Sequence, residues 1–322
     1  MKKKILKYQE ILNQEIDKIN FSKKPENLYK PIKYILSLKS KRVRPTLSIL
    51  SYKLFKNDLD DILIPSISLE LFHNFTLIHD DIMDNADLRR GKKTVHKKWN
   101  KNIGILSGDI LMIYAYSLLE GLESKIYGKI LKRFNEISIM VCEGQQFDMD
   151  YEQKALISEV EYLEMIKLKT AVLIGFSLEL GGMVADVDKN TTNKLYNIGE
   201  KMGVGFQLMD DYLDVFGSPG FGKKIGGDII ANKKTYLMIN LLKRSDEKDI
   251  KRVEELKNSN NDKEKIKIIS ELMVKYGINI LAKKTIEDYF RTALNQLEEI
   301  KSESDYKLIL REYFNEMMVR IN

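Results

Sequence analysis

Residues 66–84 read SISLELFHNFTLIHDDIMD, and the spacing of their apolar members decides the fold class. Leu69, Phe72, Phe75 or Thr76, and Ile78 or His79 recur every three to four residues, the period that lines side chains along one helix face. The stretch opens a long span without proline. The five prolines are Pro25, Pro31, Pro45, Pro65 and Pro219, so no residue from Ser66 to Ser218 interrupts a helix for want of a backbone donor. Ile5, Tyr8, Leu12, Ile16 and Ile19 keep the same period at the start of the chain. Alternating runs closed by Asn-Gly or Asp-Gly turns, the mark of β-hairpins, are missing. The pattern predicts an all-α protein with many helices around one core, in a single domain over residues 1–322.

Composition narrows the function classes. The chain has 43% hydrophobic and 31% charged residues, the balance of a folded globular protein. A net charge of +6 over 322 residues is too small and too scattered for a nucleic-acid-binding face. One cysteine, Cys142, excludes an internal disulfide framework and a cysteine-rich zinc site. Its neighbours Ile139, Met140 and Val141 predict that it is a small buried hydrophobe. Three histidines, His73, His79 and His96, offer little for a histidine metal site. Met1 to Lys4 is basic, but Tyr8, Gln9 and Glu10 interrupt any apolar signal segment. The longest mainly apolar run, Ala171 to Val187, holds Ser177, Glu179 and Asp186, and so reads as a core helix rather than a membrane span. The expected compartment is the cytoplasm. Phe216 to Gly227 holds five of the 18 glycines and reads as a loop; Arg244 to Lys267 reads as solvated helix ends around a polar turn.

Two short stretches are alike: Asp80-Asp81-Ile82-Met83-Asp84 and Asp210-Asp211-Tyr212-Leu213-Asp214. On a helix, residues i and i+4 share a face with Cβ atoms about 5–6 Å apart. Asp80 therefore points with Asp84, and Asp210 with Asp214. Such carboxylates repel unless a cation lies between them, and hard oxygen ligands favour Mg²⁺, which keeps waters and shares phosphate oxygens. Asp81 and Asp211 lie about 100° round the helix, where they back the site rather than lead it. One such motif alone reads as a charged helix face. Two, each following apolar residues (Phe75, Leu77, Ile78; Phe206, Leu208, Met209), read as metal sites, because acid triplets beside a core need a compensating charge. Lys41, Arg42, Arg44, Arg89, Arg90, Lys169, Lys223, Lys224, Lys233 and Lys234 supply the cations that a diphosphate would need.

His79 to His96 reads HDDIMDNADLRRGKKTVH, and Gly205 to Gly217 reads GFQLMDDYLDVFG. These resemble the first and second aspartate-rich motifs of the trans-isoprenyl diphosphate synthases, the polyprenyl synthetase family. The resemblance runs from Lys39 to Leu237 and includes Lys41 to Pro45, Gly144 to Asp148, Tyr162 to Thr170 and Asp228 to Thr235. It implies a large helical bundle of the isoprenoid synthase type with a central cavity, and a homodimer. It also implies a reaction: an allylic diphosphate ionises, isopentenyl diphosphate attacks the carbocation, and proton loss gives an all-trans chain five carbons longer.

Residue by residue, the resemblance implies that Asp80 and Asp84 bind two Mg²⁺ and Asp210 a third, with Asp214 nearby. Arg89, Lys169 and Lys233 would hold the allylic diphosphate, with Lys223 or Lys224 in the loop. Lys41, Arg44, His73 and Arg90 would hold isopentenyl diphosphate. Lys169, Thr170 and Gln207 would steady the carbocation. Side chains before Asp80 form a floor under the growing chain. Phe75, with the small Thr76 beside it and Phe72 a turn below, resembles the floor of the geranylgeranyl (C20) makers. Two aromatics would suggest farnesyl, and two small residues a longer product. Ser40 departs from the family's usual glycine. Neither neighbouring reading fits as well: a terpene cyclase lacks an Asp210-type second motif, and a non-catalytic partner subunit degrades one of the two motifs.

Overall fold

Helices follow one another along the chain with little between them, as amphipathic segments of helical period dictate. The computed structural model describes residues 2–217 and 225–318. Their contacts form two compact units. One takes the described residues of Met1–Glu136, Phe176–Leu195 and Ser302–Leu310; the other takes those of Ile137–Gly175, Tyr196–Lys301 and Arg311–Asn322.

The first unit begins with α1 (Lys2–Lys18), α2 (Glu26–Ser37), α3 (Val43–Tyr52) and α4 (Leu63–Met83). A hairpin of β1 (Leu88–Arg89) and β2 (Lys92–Lys93) leads to α5 (Val95–Lys98) and α6 (Lys101–Ser117). The start of α7 (Ser124–Gln153) and most of α9 (Val172–Val184) also belong here. Helix α4 is the axis of the unit and packs on α3 and α6. It buries Leu69, Phe72 and Ile78, three members of the three-to-four period, together with Ile67 and Leu71. Phe134 gathers Phe72, Tyr116 and Phe176 around its ring at centroid distances of 5.0, 5.0 and 5.4 Å. Each fully buried phenylalanine contributes about 1.5–3 kcal/mol, so this cluster fixes how α4, α6, α7 and α9 meet.

The second unit holds the rest of α7, then α8 (Glu159–Ile166), a π-turn (Lys167–Ala171), and most of α10 (Lys189–Phe216). It continues with α11 (Gly227–Ile230), α12 (Tyr236–Arg244), α13 (Glu247–Lys257), α14 (Asp262–Lys275), α15 (Ile278–Glu298) and most of α16 (Tyr306–Met318). Ser158 and Glu161 form a capping box that starts α8, and Thr235 caps α12. Phe290 and Ile286 of α15 are fully buried, as are Met273 of α14 and Leu241 of α12, the two helices that pack on α15.

The all-α expectation holds, with one small exception. The hairpin pairs Leu88 with Lys93 and Arg89 with Lys92 around Arg90 and Gly91, whose φ values of 53° and 73° are those of a two-residue turn. Strands of two residues are too short to show alternation in sequence. Cys142 corrects another expectation: it is exposed. The helix around it turns apolar Ile139 outward as well, so apolar neighbours were no sign of a core face there. The 171–187 run buries Ser177 and Glu179 but leaves Asp186 exposed near its end; Glu179 accepts a 2.8 Å bond from Arg133. Among the described residues, the segment Lys101–Gly121 is long and apolar enough to cross a membrane by length and composition alone. Within the unit, however, its Leu111 and Ala115 are fully buried. Most of the expected 216–227 loop, with Lys223 and Lys224, lies outside the described residues.

Candidate active site

The first aspartate motif closes α4. Asp80 lies in its last turn and Asp84 caps its end, the Asp84 N–H donating to the Asp80 carbonyl at 2.9 Å. Asp84 is exposed and Asp80 half-buried, whereas Asp81 is only 1% exposed. The hairpin turn delivers Arg89 onto this end. Its Nε donates to both Asp81 oxygens at 2.8 and 2.9 Å, and Nη2 reaches Asp80 at 3.3 Å. Burial still pushes the Asp81 carboxyl above its ordinary value, against the pull of Arg89.

The basic stretch before α3 is held by a different pair. Arg42 takes a left-handed φ of 44° and turns its guanidinium inward to Glu70 of α4 at 2.7 Å, with both side chains buried. Asn13 and Asn74 complete the set at 3.0 Å from Arg42 Nε and Glu70 Oε1. Lys41 stays exposed, its carbonyl accepting from Gln9. Arg44 Nη1 donates to His73 Nε2 at 3.0 Å. Burial, then Arg44 and Arg90, hold the imidazole well below its usual range, so it is the neutral acceptor that this bond requires. Arg90 Nη1 lies 3.5 Å from the Leu38 carbonyl oxygen. The first unit thus brings Arg44 and His73 into direct contact.

The three expected floor residues differ in surroundings. Phe72 is buried between Phe75 and Phe134. Phe75 is half-buried, with its ring against Phe72 at 5.4 Å and against His79 at 4.8 Å. Thr76 turns its hydroxyl back to the His73 carbonyl at 2.8 Å.

In the second unit, Asp210, Asp211 and Asp214 lie near the end of α10. Asp211 is buried, accepts from the Tyr162 hydroxyl of α8, and receives Gln207 Nε2 at 3.2 Å. Burial pushes its carboxyl up to about 7 although Tyr162 opposes this. Gln207 Oε1 in turn accepts from Thr170 at 3.4 Å. Thr170 and Lys169 sit on the π-turn, and Lys169 bonds Asp148 at 2.6 Å. Gly144 of α7 permits this arrangement: a Cβ there would meet the Lys169 backbone nitrogen at 2.2 Å. Asp214 accepts the Asp228 backbone N–H at 2.9 Å, and Lys233 lies 3.8 Å from the Asp228 carboxylate. Lys234 donates to the Glu152 carbonyl at 3.1 Å. Asp148, Lys169, Gln207, Asp210, Asp214 and Lys233 all line a cavity of about 930 Å³ in this unit.

The two motifs share a division of labour. Each middle aspartate is buried and occupied by a protein partner, Arg89 or Tyr162, while the outer pair is more open. Among the described residues no three acidic, histidine or cysteine side chains gather into a ready cation cage. Paired carboxylates suit a hard cation that takes its remaining ligands from water and phosphate oxygens, so the donor set fits Mg²⁺ with a diphosphate. Among the described residues Arg44 Nε, which is buried, has no hydrogen-bond partner, as a donor kept for an anion would have none. Arg42, expected among the cations for a diphosphate, is instead buried with its guanidinium taken up by Glu70 and the Leu36 carbonyl, so it holds the fold. Sequence reading gave no role to Glu70 or Tyr162. A lone Glu70 among Ile67, Leu69, Leu71 and Phe72 was the available sign of a buried acid with a partner; Tyr162 carried none.

A family model described as polyprenyl synthetase matches residues 25–274. A short chain isoprenyl diphosphate synthase of Methanocaldococcus jannaschii is 39% identical over 253 residues, covering 78% of this chain and 77% of that protein. A geranylgeranyl diphosphate synthase of Sulfolobus acidocaldarius is 33% identical over 322 residues, covering 97% of each. A crystal structure of a geranylgeranyl pyrophosphate synthase superposes with a TM-score of 0.91 at 39% identity, covering 99% of this chain and 98% of the other. The chain belongs to the polyprenyl synthetase family of prenyltransferases.

Proposed function

We propose that the protein condenses isopentenyl diphosphate with an allylic diphosphate, head to tail and with Mg²⁺, releasing diphosphate and giving all-trans geranylgeranyl diphosphate. The observation that carries this reading is the shared layout of the two motifs, in which the middle aspartate is held by the protein and the outer pair is more open. Bound Mg²⁺, three ions in the substrate complex, would neutralise charge developing on the leaving diphosphate. Asp80 and Asp84 would hold two of them, and Asp210 with Asp214 the third.

The chain's own side chains do the rest. Arg89, Lys169 and Lys233 bind the allylic diphosphate, with Lys223 or Lys224. Lys41, Arg44, His73 and Arg90 bind isopentenyl diphosphate; Arg44 offers its buried Nε–H and the neutral His73 keeps it aligned. Lys169, Thr170 and Gln207 face the developing cation, and the Tyr162–Asp211 contact fixes which way the Gln207 amide points. The departing diphosphate accepts the proton, so no side-chain base is needed. Phe75, with Phe72 and Thr76, forms the floor that stops growth at C20; the geranylgeranyl synthases among its relatives support that length.

The two units work as one catalytic domain, as a family model covering most of both supports. The protein is soluble and cytoplasmic and acts as a homodimer. The outward Ile105, Leu106 and Ile113 of α6 (42%, 58% and 54% exposed) give a second copy an apolar face to cover. Calorimetry with a non-ionisable thiolo analogue of the allylic substrate tests the site. The analogue binds tightly with Mg²⁺ and weakly without it; equal binding in both conditions would refute the assignment.

A further inference from the structure

We propose that His79 and Gly108 form a backstop that holds the Phe75 ring in place and so helps to set product length. The inference rests on the reading of Phe75 as the chain-length floor.

Phe75 and His79 stand one turn apart on α4, and their rings meet edge to face at 4.8 Å with an interplanar angle of 69°. On its other flank Phe75 touches Phe72, which is itself fixed against Phe134. The Phe75 ring is therefore clamped between a buried neighbour and an imidazole. That imidazole has little freedom. Its Nε2 lies 3.1 Å from the Ile105 carbonyl oxygen and 3.7 Å from the Asp109 carboxylate, both on α6. Its ring also lies over Gly108, where a Cβ would stand 2.4 Å from Nε2 and 2.5 Å from Cδ2. Carbon atoms in contact settle about 3.5–4.0 Å apart, so a methyl at residue 108 drives the ring off its seat. The methyl comes from α6, so the imidazole must move off that helix, and the Phe75 ring is in edge contact with it.

The two residues then act in opposite senses. Removing the imidazole withdraws support from Phe75, and its ring can tilt away from the growing chain. Adding a methyl at 108 presses the imidazole toward Phe75 and raises the floor.

The test compares products of full-length wild type with His79→Ala, His79→Phe, Gly108→Ala and Phe75→Ala. Each is supplied with isopentenyl diphosphate, Mg²⁺ and an allylic primer, and product length is read by chromatography at matched turnover. His79→Ala should shift the major product up by one five-carbon unit, and His79→Phe, which keeps a ring, should leave it at C20. Gly108→Ala should shift it down toward C15; residue 108 lies on α6, a different helix from the metal motif. If Phe75→Ala lengthens the product while both His79→Ala and Gly108→Ala give the wild-type length, the backstop is wrong and the floor stands. If Phe75→Ala also gives the wild-type length, the floor reading fails and the backstop with it.

Discussion

Arg42 donates to Glu70 across 2.7 Å with both side chains buried, and Arg42 stands in the sequence between Lys41 and Arg44, two residues proposed to bind isopentenyl diphosphate. A buried ion pair gives modest net stability, but removing one member strands the other charge. Glu70→Leu should therefore lower unfolding free energy by about 3–5 kcal/mol in urea denaturation. Arg42→Met with Glu70→Leu should recover much of that loss. Equal stability of the single variant and wild type would show that the pair anchors nothing.

The division within each motif yields a second expectation. Asp80→Ala and Asp210→Ala should each lower turnover by about a hundredfold or more, the scale on which aimed electrostatic groups act. Helical circular dichroism should persist, because the buried middle aspartates keep their contacts, Asp81 with Arg89 and Asp211 with Tyr162 and Gln207. Loss of the helical signal would instead assign the outer aspartates to the fold.

His73 titrates in a predictable direction. Burial and the nearby Arg44 keep its folded-state value below the ordinary 6.5. Below pH 6.5 the unfolded chain takes up the proton that the folded one refuses, so this residue's contribution to stability is full above that pH and lost as pH falls. His73→Gln keeps an acceptor for Arg44 without titrating. Its stability relative to wild type should rise on acidification below pH 6.5, by at most about 1.4 kcal/mol per pH unit. A pH-independent difference would contradict the neutral assignment.

Metal dependence should appear only together with phosphate. Chelation should abolish turnover without changing the melting temperature of the substrate-free protein. Diphosphate plus Mg²⁺ should raise that temperature, as ligand at a hundredfold over its Kd adds about 2.7 kcal/mol. A shift of the same size with Mg²⁺ alone would mean that the side chains form a complete cation cage.

Fold class was legible because the 66–84 stretch repeats its apolar residues at helical spacing and no proline interrupts it before Pro219. The pairing of Asp80 with Asp84, and the different place of Asp81, also follow from helix rotation alone. What holds each middle aspartate did not. Arg89 arrives by a hairpin too short to read, and Tyr162 comes from 49 residues away. The π-turn under Lys169 depends on close approach to Gly144, a tertiary contact with no local signature. Cys142 was misread because apolar neighbours identify a core only when the helix turns them inward, and Ile139 is turned outward.

The most direct measurement supplies the purified protein with labelled isopentenyl diphosphate, Mg²⁺ and each allylic diphosphate in turn, and separates the products by chain length. The account predicts Mg²⁺-dependent release of diphosphate and a major C20 prenyl diphosphate. No incorporation of label from any primer, or a cyclic hydrocarbon in place of a prenyl diphosphate, would contradict it.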